Sequence, residues 1–281
     1  METRITSPAK EVLIGSDRPT VLIGERINAS GNKKLSEALR KGNLEMVRNE
    51  ALDQVQAGAD MLDVNVSTFG VDEASLLPSV VQVLMDTVQV PLCIDSTDPV
   101  ALKAALRVYK GKPLVNSVTG EEQSLEGILP LVKEYGAAVI GLVQDDEGVP
   151  RDEERRVSIA HKLVAKAEST GIPREDIIID CLAGAVGADT STGQAVVRAI
   201  GRVKAELGVN QTIGASNVSF GLPDRELLNS AFIALAIGAG VTCLITDAAK
   251  SRSVTLAVDL LSGRDKRARR YIEAYRRRHS L

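Results

Sequence analysis

Carboxylates and carboxamides stand at or just past the ends of short apolar runs along this chain: Glu25, Asn28, Asp63, Asn65, Asp95, Asn116, Asp180, Asn217 and Asp247, with Gln144 and Asp145 in the middle. Together such groups suit a flat heterocycle whose edge alternates N–H donors and carbonyl acceptors. A carboxylate accepts from a ring N–H and an exocyclic amine at once, and an amide both donates and accepts. Phosphate is a poor match, because it calls for Arg, Lys or glycine-rich backbone. Zinc is poorer still, with two histidines, His161 and His279, and three isolated cysteines, Cys93, Cys181 and Cys243. Hard oxygen donors make magnesium conceivable, but the expectation is a site without a metal.

The elements that position these groups follow from the pattern between them. The runs are TVLIG (20–24), MLDVN (61–65), PLCID (91–95), PLVN (113–116), AAVIGL (137–142), IIID (177–180), TIGAS (212–216) and TCLIT (242–246). Short β-branched runs with few polar interruptions suit strands buried on both faces of a parallel sheet. Amphipathic stretches lie between them, such as LSEALRKGNLEMVRNEALDQVQAGA and EGILPLVKEYGA, and several end in Gly before the next strand. Eight strand–helix units predict a single α/β domain, a (β/α)8 TIM barrel. A doubly wound sheet is the alternative, but no G-x-G-x-x-G follows the first run. Expected boundaries are an N-terminal extension (1–19), the barrel (20–262) and a basic C-terminal helix (263–281).

Barrel chemistry belongs to the C-terminal ends of the strands, where every polar group above falls. Each could instead cap the helix that follows. In DSTDPVALKAAL, Thr97 or Asp98 is the better cap because Pro99 suits the first helical position, so Asp95 is free of that job. Asp180 and Asn217 precede stretches that do not start a helix at once, whereas Asp145 and Asp247 fit caps better.

Composition narrows the partners. The chain has 281 residues, 44% hydrophobic and 25% charged, which is globular. Aromatics at 2% cannot supply repeated stacking platforms for single-stranded nucleic acid, and a net charge of −3 draws no phosphate backbone. No run reaches the roughly 18 apolar residues of a membrane span, the charged N-terminus is unlike a secretory signal, and isolated thiols suit a reducing compartment. A cytoplasmic protein is expected, with no nucleic-acid or membrane partner. Residues 261–281 carry eight Arg or Lys against two acids, a local +6, so the body carries −9. That tail reads as a solvated helix or as a docking surface for an acidic protein. Cys181 reads as a packed thiol and His161 as a surface residue of a helix.

Six segments in register, GERIN (24–28), DVNV (63–66), CIDST (93–97), VNSV (115–118), IIID (177–180) and GASNVSFGLPDR (214–225), resemble the methyltetrahydrofolate–corrinoid protein methyltransferases, including the folate domain of cobalamin-dependent methionine synthase. The resemblance runs from about Val21 to Lys250 and implies a pterin-binding barrel of the dihydropteroate synthase type. It implies that Asp95, Asn116 and Asp180 hold the amino-pyrimidinone edge of the pterin. Asn217 then hydrogen-bonds N5, the atom that carries the methyl group, and is the catalytic residue. Glu25 and Asn28 would face the same pocket with Asp63 and Asn65 beside them, while Gly214, Ser216 and Arg225 lie along the ligand.

The implied reaction moves a methyl group between N5 of tetrahydrofolate and the cobalt of a corrinoid (cobalamin), in either direction. Neither histidine sits in a D-x-H-x-x-G context, so the corrinoid would come on a separate protein. Homodimers are common in the family and are expected here. Two departures stand out: CLAGAVGADTSTG replaces a proline-containing stretch after the sixth run, and Phe220 stands where some relatives carry a polar residue. The alternatives are a dihydropteroate synthase-like condensation enzyme and a non-catalytic folate-binding subunit. The first is disfavoured because VNVSTFGVDE lacks the Ser-Thr-Arg-Pro run of that family.

Overall fold

The computed structural model describes residues 1–279. Its framework is eight parallel strands, β3 (Val21–Asn28), β4 (Met61–Asn65), β5 (Leu92–Asp95), β6 (Leu114–Thr119), β7 (Ala138–Leu142), β8 (Ile177–Asp180), β9 (Asn210–Thr212) and β10 (Cys243–Thr246). Neighbours in sequence pair in order, and β10 returns beside β3. Ile245 N donates to Ile213 O at 3.1 Å and Thr242 N to Gln211 O at 2.9 Å, which closes the sheet into a barrel. The helices outside it are α1 (Lys33–Arg40), α2 (Glu45–Gln56), α3 (Glu73–Thr87), α4 (Pro99–Val108), α5 (Glu122–Tyr135), α6 (Glu153–Thr170), α7 (Ser191–Glu206), α8 (Arg225–Ala239) and α9 (Ala248–Leu261).

Strand alternation explains which residues enter the barrel. Side chains at odd and even positions face opposite sides. Leu62, Val64, Leu92, Ile94, Val115, Ile177 and Ile179 pack outward against the helices. Met61, Cys93, Leu114 and Ile178 face inward. The inward parity then carries Asp63 and Asn65 on β4, Asp95 on β5, Asn116 on β6 and Asp180 on β8 up the barrel axis. Each of these polar groups therefore points inward above an apolar floor.

The first residues, for which the sequence suggested no element, form a hairpin of β1 (Glu2–Thr6) and β2 (Glu11–Gly15). Ile5, Val12 and Ile14 join the inner cluster and plug the N-terminal end of the barrel. Asn210 of β9 donates to Ile14 O at 3.0 Å and Thr3 Oγ1 at 2.9 Å, and Thr6 pairs with Lys112.

The long amphipathic stretch after β3 is two helices rather than one. Gly42 takes a left-handed φ of +68°, and Asn43 Oδ1 accepts from Glu45 N, starting α2 afresh. The seventh strand also starts earlier than its apolar run suggested and ends at Thr212, so Ser216 and Asn217 lie beyond it in a 3-10 turn, Ala215–Ser219. Asp98 caps α4 through Val100 N with Pro99 in the first turn, and Asp247 caps α9 through Ala249 N. A tenth helix, α10 (Arg269–Arg278), packs along α9 with no buried residue; positions 280 and 281 of the expected terminal helix lie outside the described residues. Among the described residues no helix is long and apolar enough to cross a membrane.

Candidate active site

Inside the barrel mouth the polar groups meet in pairs drawn from different strands. Asn116 Nδ2 donates to Asp63 Oδ1 at 3.0 Å. Asn65 Nδ2 donates to Asp95 Oδ2 at 2.9 Å, while Asn65 Oδ1 accepts from Ser67 N. Asp180 Oδ1 accepts from Leu182 N at 2.7 Å, and the N–H of Gly214 also serves this carboxylate. Ser216 Oγ donates to Glu25 Oε1 at 3.0 Å. Amides thus brace two of the carboxylates, backbone N–H groups a third, and a hydroxyl the fourth.

Burial sets the charge of these carboxyls. Asp63 lies deepest, and desolvation together with the charge of Asp95 pushes its pKa well above the usual carboxylate range. Asp95 is raised too, by burial first. Asp180 is pushed up to about 7, burial outweighing its two N–H donors. Glu25 is raised by burial, with Ser216 and Arg225 pulling it down and Asp247 pushing it up. Such carboxyls favour a ligand that brings its own N–H donors into the barrel, because those donors replace the lost water.

The turn after β9 forms the other wall. Asn217 is exposed in this turn but is not among the residues lining the mouth cavity, and a Cβ on Gly214 would stand 3.1 Å from its Nδ2, so glycine leaves the amide room. Arg225 donates to Ser216 O at 2.8 Å and to Ser219 Oγ at 3.0 Å, which fixes the turn. Its guanidinium carbon lies 5.8 Å from the centroid of the Phe220 ring, whose face is open to solvent. A profile of the family described as pterin binding enzymes matches residues 24–247.

The chain belongs to that family.

Among relatives of this pterin-binding enzyme, methylcorrinoid:tetrahydrofolate methyltransferase of Eubacterium limosum is 29% identical over 263 residues, covering 91% of this chain and 96% of that one. Methionine synthase of Mycobacterium tuberculosis is 32% identical over 262 residues, 89% of this chain but only 22% of the relative, so the chain spans about a fifth of that protein. Among solved structures, dihydropteroate synthase of Yersinia pestis with a pterine–sulfa conjugate aligns at a TM-score of 0.72 and 15% identity, covering 94% of this chain and all of that one. The Xanthomonas albilineans enzyme with 7,8-dihydropteroate aligns at 0.68 and 21%, covering 92% and 98%. These structures show a shared fold.

Of the residues singled out in the sequence, Glu25, Asn28, Ser216 and Arg225 line a cavity of about 470 Å³ at the mouth. Asp63, Asn65, Asp95, Asn116 and Asp180 form the paired floor beside it. Asn28 is turned to Ser30, accepting from its N and Oγ. Gln144 and Asp145 do not join the group: Gln144 donates to Glu121, and Asp145 accepts from Glu147 N and pairs with Arg155. Asp247 lines the mouth cavity while it caps α9 and pairs with Arg26.

Three contributors were not anticipated. Arg156 of α6, fully buried, donates to Cys181 O at 2.5 Å and Leu182 O at 2.8 Å. It thereby holds the divergent segment after β8 in place, with Leu182 at a left-handed φ of +57° beside Asp180. Arg26 and Lys250 line the mouth cavity as well. No sequence signal marks Arg156, which sits 25 residues before its first anchor, Cys181, in a helix rich in charge. Cys181 is buried, its thiol pushed up by burial, and His161 pairs with Glu206 at the surface. Among the described residues no group of three His, Cys, Asp or Glu is placed to hold a metal ion.

Proposed function

We propose that this pterin-binding enzyme is a methyltransferase that moves a methyl group between N5 of tetrahydrofolate and the cobalt of a corrinoid presented by a separate protein. The observation that carries the reading is the mouth cavity lined by Glu25, Ser216 and Arg225 beside a floor of paired carboxyls, with Asn217 exposed next to Ser216 in the same turn. Its agreement in length with a methylcorrinoid:tetrahydrofolate methyltransferase supports the same reading.

In this reading Asp95, Asn116 and Asp180 take the amino-pyrimidinone edge, with Asp63 and Asn65 bracing Asn116 and Asp95. Gly214 and Arg225 keep the turn against the ligand, and Asn28 lines the approach. The methyl leaves a tertiary amine, a poor leaving group unless N5 gains a proton. An amide has no usable proton, so Asn217 turns its carbonyl toward the protonated N5 and stabilises the charge. Glu25, raised by burial, supplies the proton through Ser216. The corrinoid accepts or donates the methyl, and the barrel supplies position and polarity. The same groups serve both directions by microscopic reversibility.

The chain would act in the cytoplasm and as a homodimer through the outer face of α8, where Leu227 and Leu235, two turns apart, are 64% and 59% exposed. Methyl transfer between methyltetrahydrofolate and free cob(I)alamin tests the reading. Folate binding without transfer overturns it and leaves a non-catalytic folate-binding subunit. A condensation to dihydropteroate would point instead to the synthase chemistry.

A further inference from the structure

The basic C-terminal helix builds a cavity of its own on the flank of the barrel, away from the mouth. α10 lies along α9 and, with the end of α2 at Gln56, Ala57 and Gly58, encloses about 500 Å³. Four guanidinium groups line it: Arg252 from α9 and Arg270, Arg277 and Arg278 from α10. Among the described residues the lining holds one carboxylate, Glu273, which is paired to Arg269 at 2.9 Å.

The positive charge here is only partly matched among the described residues. Nη1 of Arg252 and Nη1 of Arg270 are both buried with no hydrogen-bond partner among the described residues. Arg252 and Arg270 share two carboxylates in long ion pairs: Asp60 at 3.6 Å from Arg252 and 3.9 Å from Arg270, and Asp259 at 3.7 Å from Arg270. Those carboxylates hold the barrel together elsewhere. Asp60 accepts from Leu22 N, and Asp259 accepts from Thr20 N and Thr20 Oγ1. Burial lowers the pKa of Arg252 first; Asp60 and Asp259 oppose that shift, while Arg270 and Arg277 add to it. A buried guanidinium nitrogen without an acceptor gives up its hydration for nothing in return. Folding should not collect four cations around such a space unless an anion comes to share them.

We propose that this cavity is a binding site for a phosphate-bearing small molecule, its phosphoryl oxygens accepting from Arg252 and Arg270 at the base and from Arg277 and Arg278 at the rim. Guanidinium forks match phosphate oxygens in pairs, and several converging forks favour a doubly charged group over chloride. The volume exceeds that of a single phosphate, so it admits the organic part of a phosphate ester. The site is independent of the methyl-transfer reading, because it shares no residue with the barrel mouth.

Calorimetry and thermal melting of the full chain at constant ionic strength test it, with inorganic phosphate, pyrophosphate and AMP as probes. At least one probe is expected to bind saturably and raise the melting temperature. Preference for AMP identifies a phosphate ester as the ligand class, and preference for the inorganic probes identifies the free ion. Arg277→Gln, a surface substitution that leaves the packing of α9 intact, should weaken binding at least tenfold, while Arg198→Gln on exposed α7 should not. Absence of saturable binding by all three probes overturns the proposal, as does Arg277→Gln binding as tightly as the parent.

Discussion

Ser216 Oγ lies 3.0 Å from Glu25 Oε1, joining the turn after the seventh barrel strand to the first strand across 191 residues of chain. The buried carboxyls Asp63, Asp95 and Asp180 are each braced by an amide or a backbone N–H. Glu25 alone among these four is held by a hydroxyl, the one partner that can both receive a proton and pass one on. Asp247, Arg225 and Asp63 are the charged groups that act on it, and Arg26 lies beside it on β3.

Glu25→Gln keeps the shape of the side chain and removes the proton. Transfer out of methyltetrahydrofolate should slow by roughly 10²- to 10⁴-fold, with folate affinity changed only a few-fold. In the parent protein this rate should fall as pH rises through the raised Glu25 pKa, because the protonated form is the active one. That limb of the pH–rate profile should vanish in Glu25→Gln. An unchanged profile would rule Glu25 out as the proton source.

Asp180 makes the stability of the ligand-free protein depend on pH. Its folded pKa of about 7 lies above the ordinary aspartate value of 3.8, so between those values the folded state binds more protons than the unfolded state. Stability therefore falls as pH rises through that window, by about 1.4 kcal/mol per pH unit for one full proton, and levels off above about pH 7. Urea unfolding at pH 5.5 and 7.5 should show the parent less stable at 7.5. Asp180→Asn should reduce the difference, the raised Asp95 and Asp63 supplying the rest, and a parent that gains stability over the same interval would contradict this assignment.

The hairpin is part of the barrel core. Ile5 and Ile14 are fully buried in the inner cluster. Ile14→Ala should destabilise the fold by about 2–5 kcal/mol, read as a lower urea midpoint with an unchanged slope. A loss below about 0.5 kcal/mol would mean that the hairpin is an appendage.

Dimerisation through α8 is testable at one position. Leu235→Glu places a charge on the exposed apolar face without touching the mouth, and light scattering should show a dimer become a monomer. A parent that is monomeric at every concentration contradicts the homodimer.

Most of the barrel was legible because its strands are buried on both faces and read as unbroken apolar runs. The polar ends of those runs announced themselves in the same way: Asp95 and Asp180 each close a run of three apolar residues. Their pairing was not legible, since Asp63 and Asn116 stand 53 positions apart and meet only when the barrel closes. The hairpin escaped notice although ETRIT buries every second residue, because each strand is only five residues long and ETRIT has a single apolar residue. β9 starts two residues and ends four residues before the expected run because its buried residues are the polar Asn210, Gln211 and Thr212; the side chains of Asn210 and Gln211 tie the hairpin and α7 to the barrel. Arg156 left no local trace because its role is set by a carbonyl reached across the fold.

The central claim is methyl transfer, and one measurement addresses it directly. Under anaerobic conditions the chain is mixed with methyltetrahydrofolate and free cob(I)alamin, and the conversion of cob(I)alamin to methylcobalamin is followed by absorbance, with folate binding measured in parallel. The account predicts catalysed transfer that Asn217→Ala slows by roughly 10²-fold or more, the loss expected when one stabilising contact to the developing charge is removed. Tight folate binding with no transfer above the uncatalysed rate would contradict it.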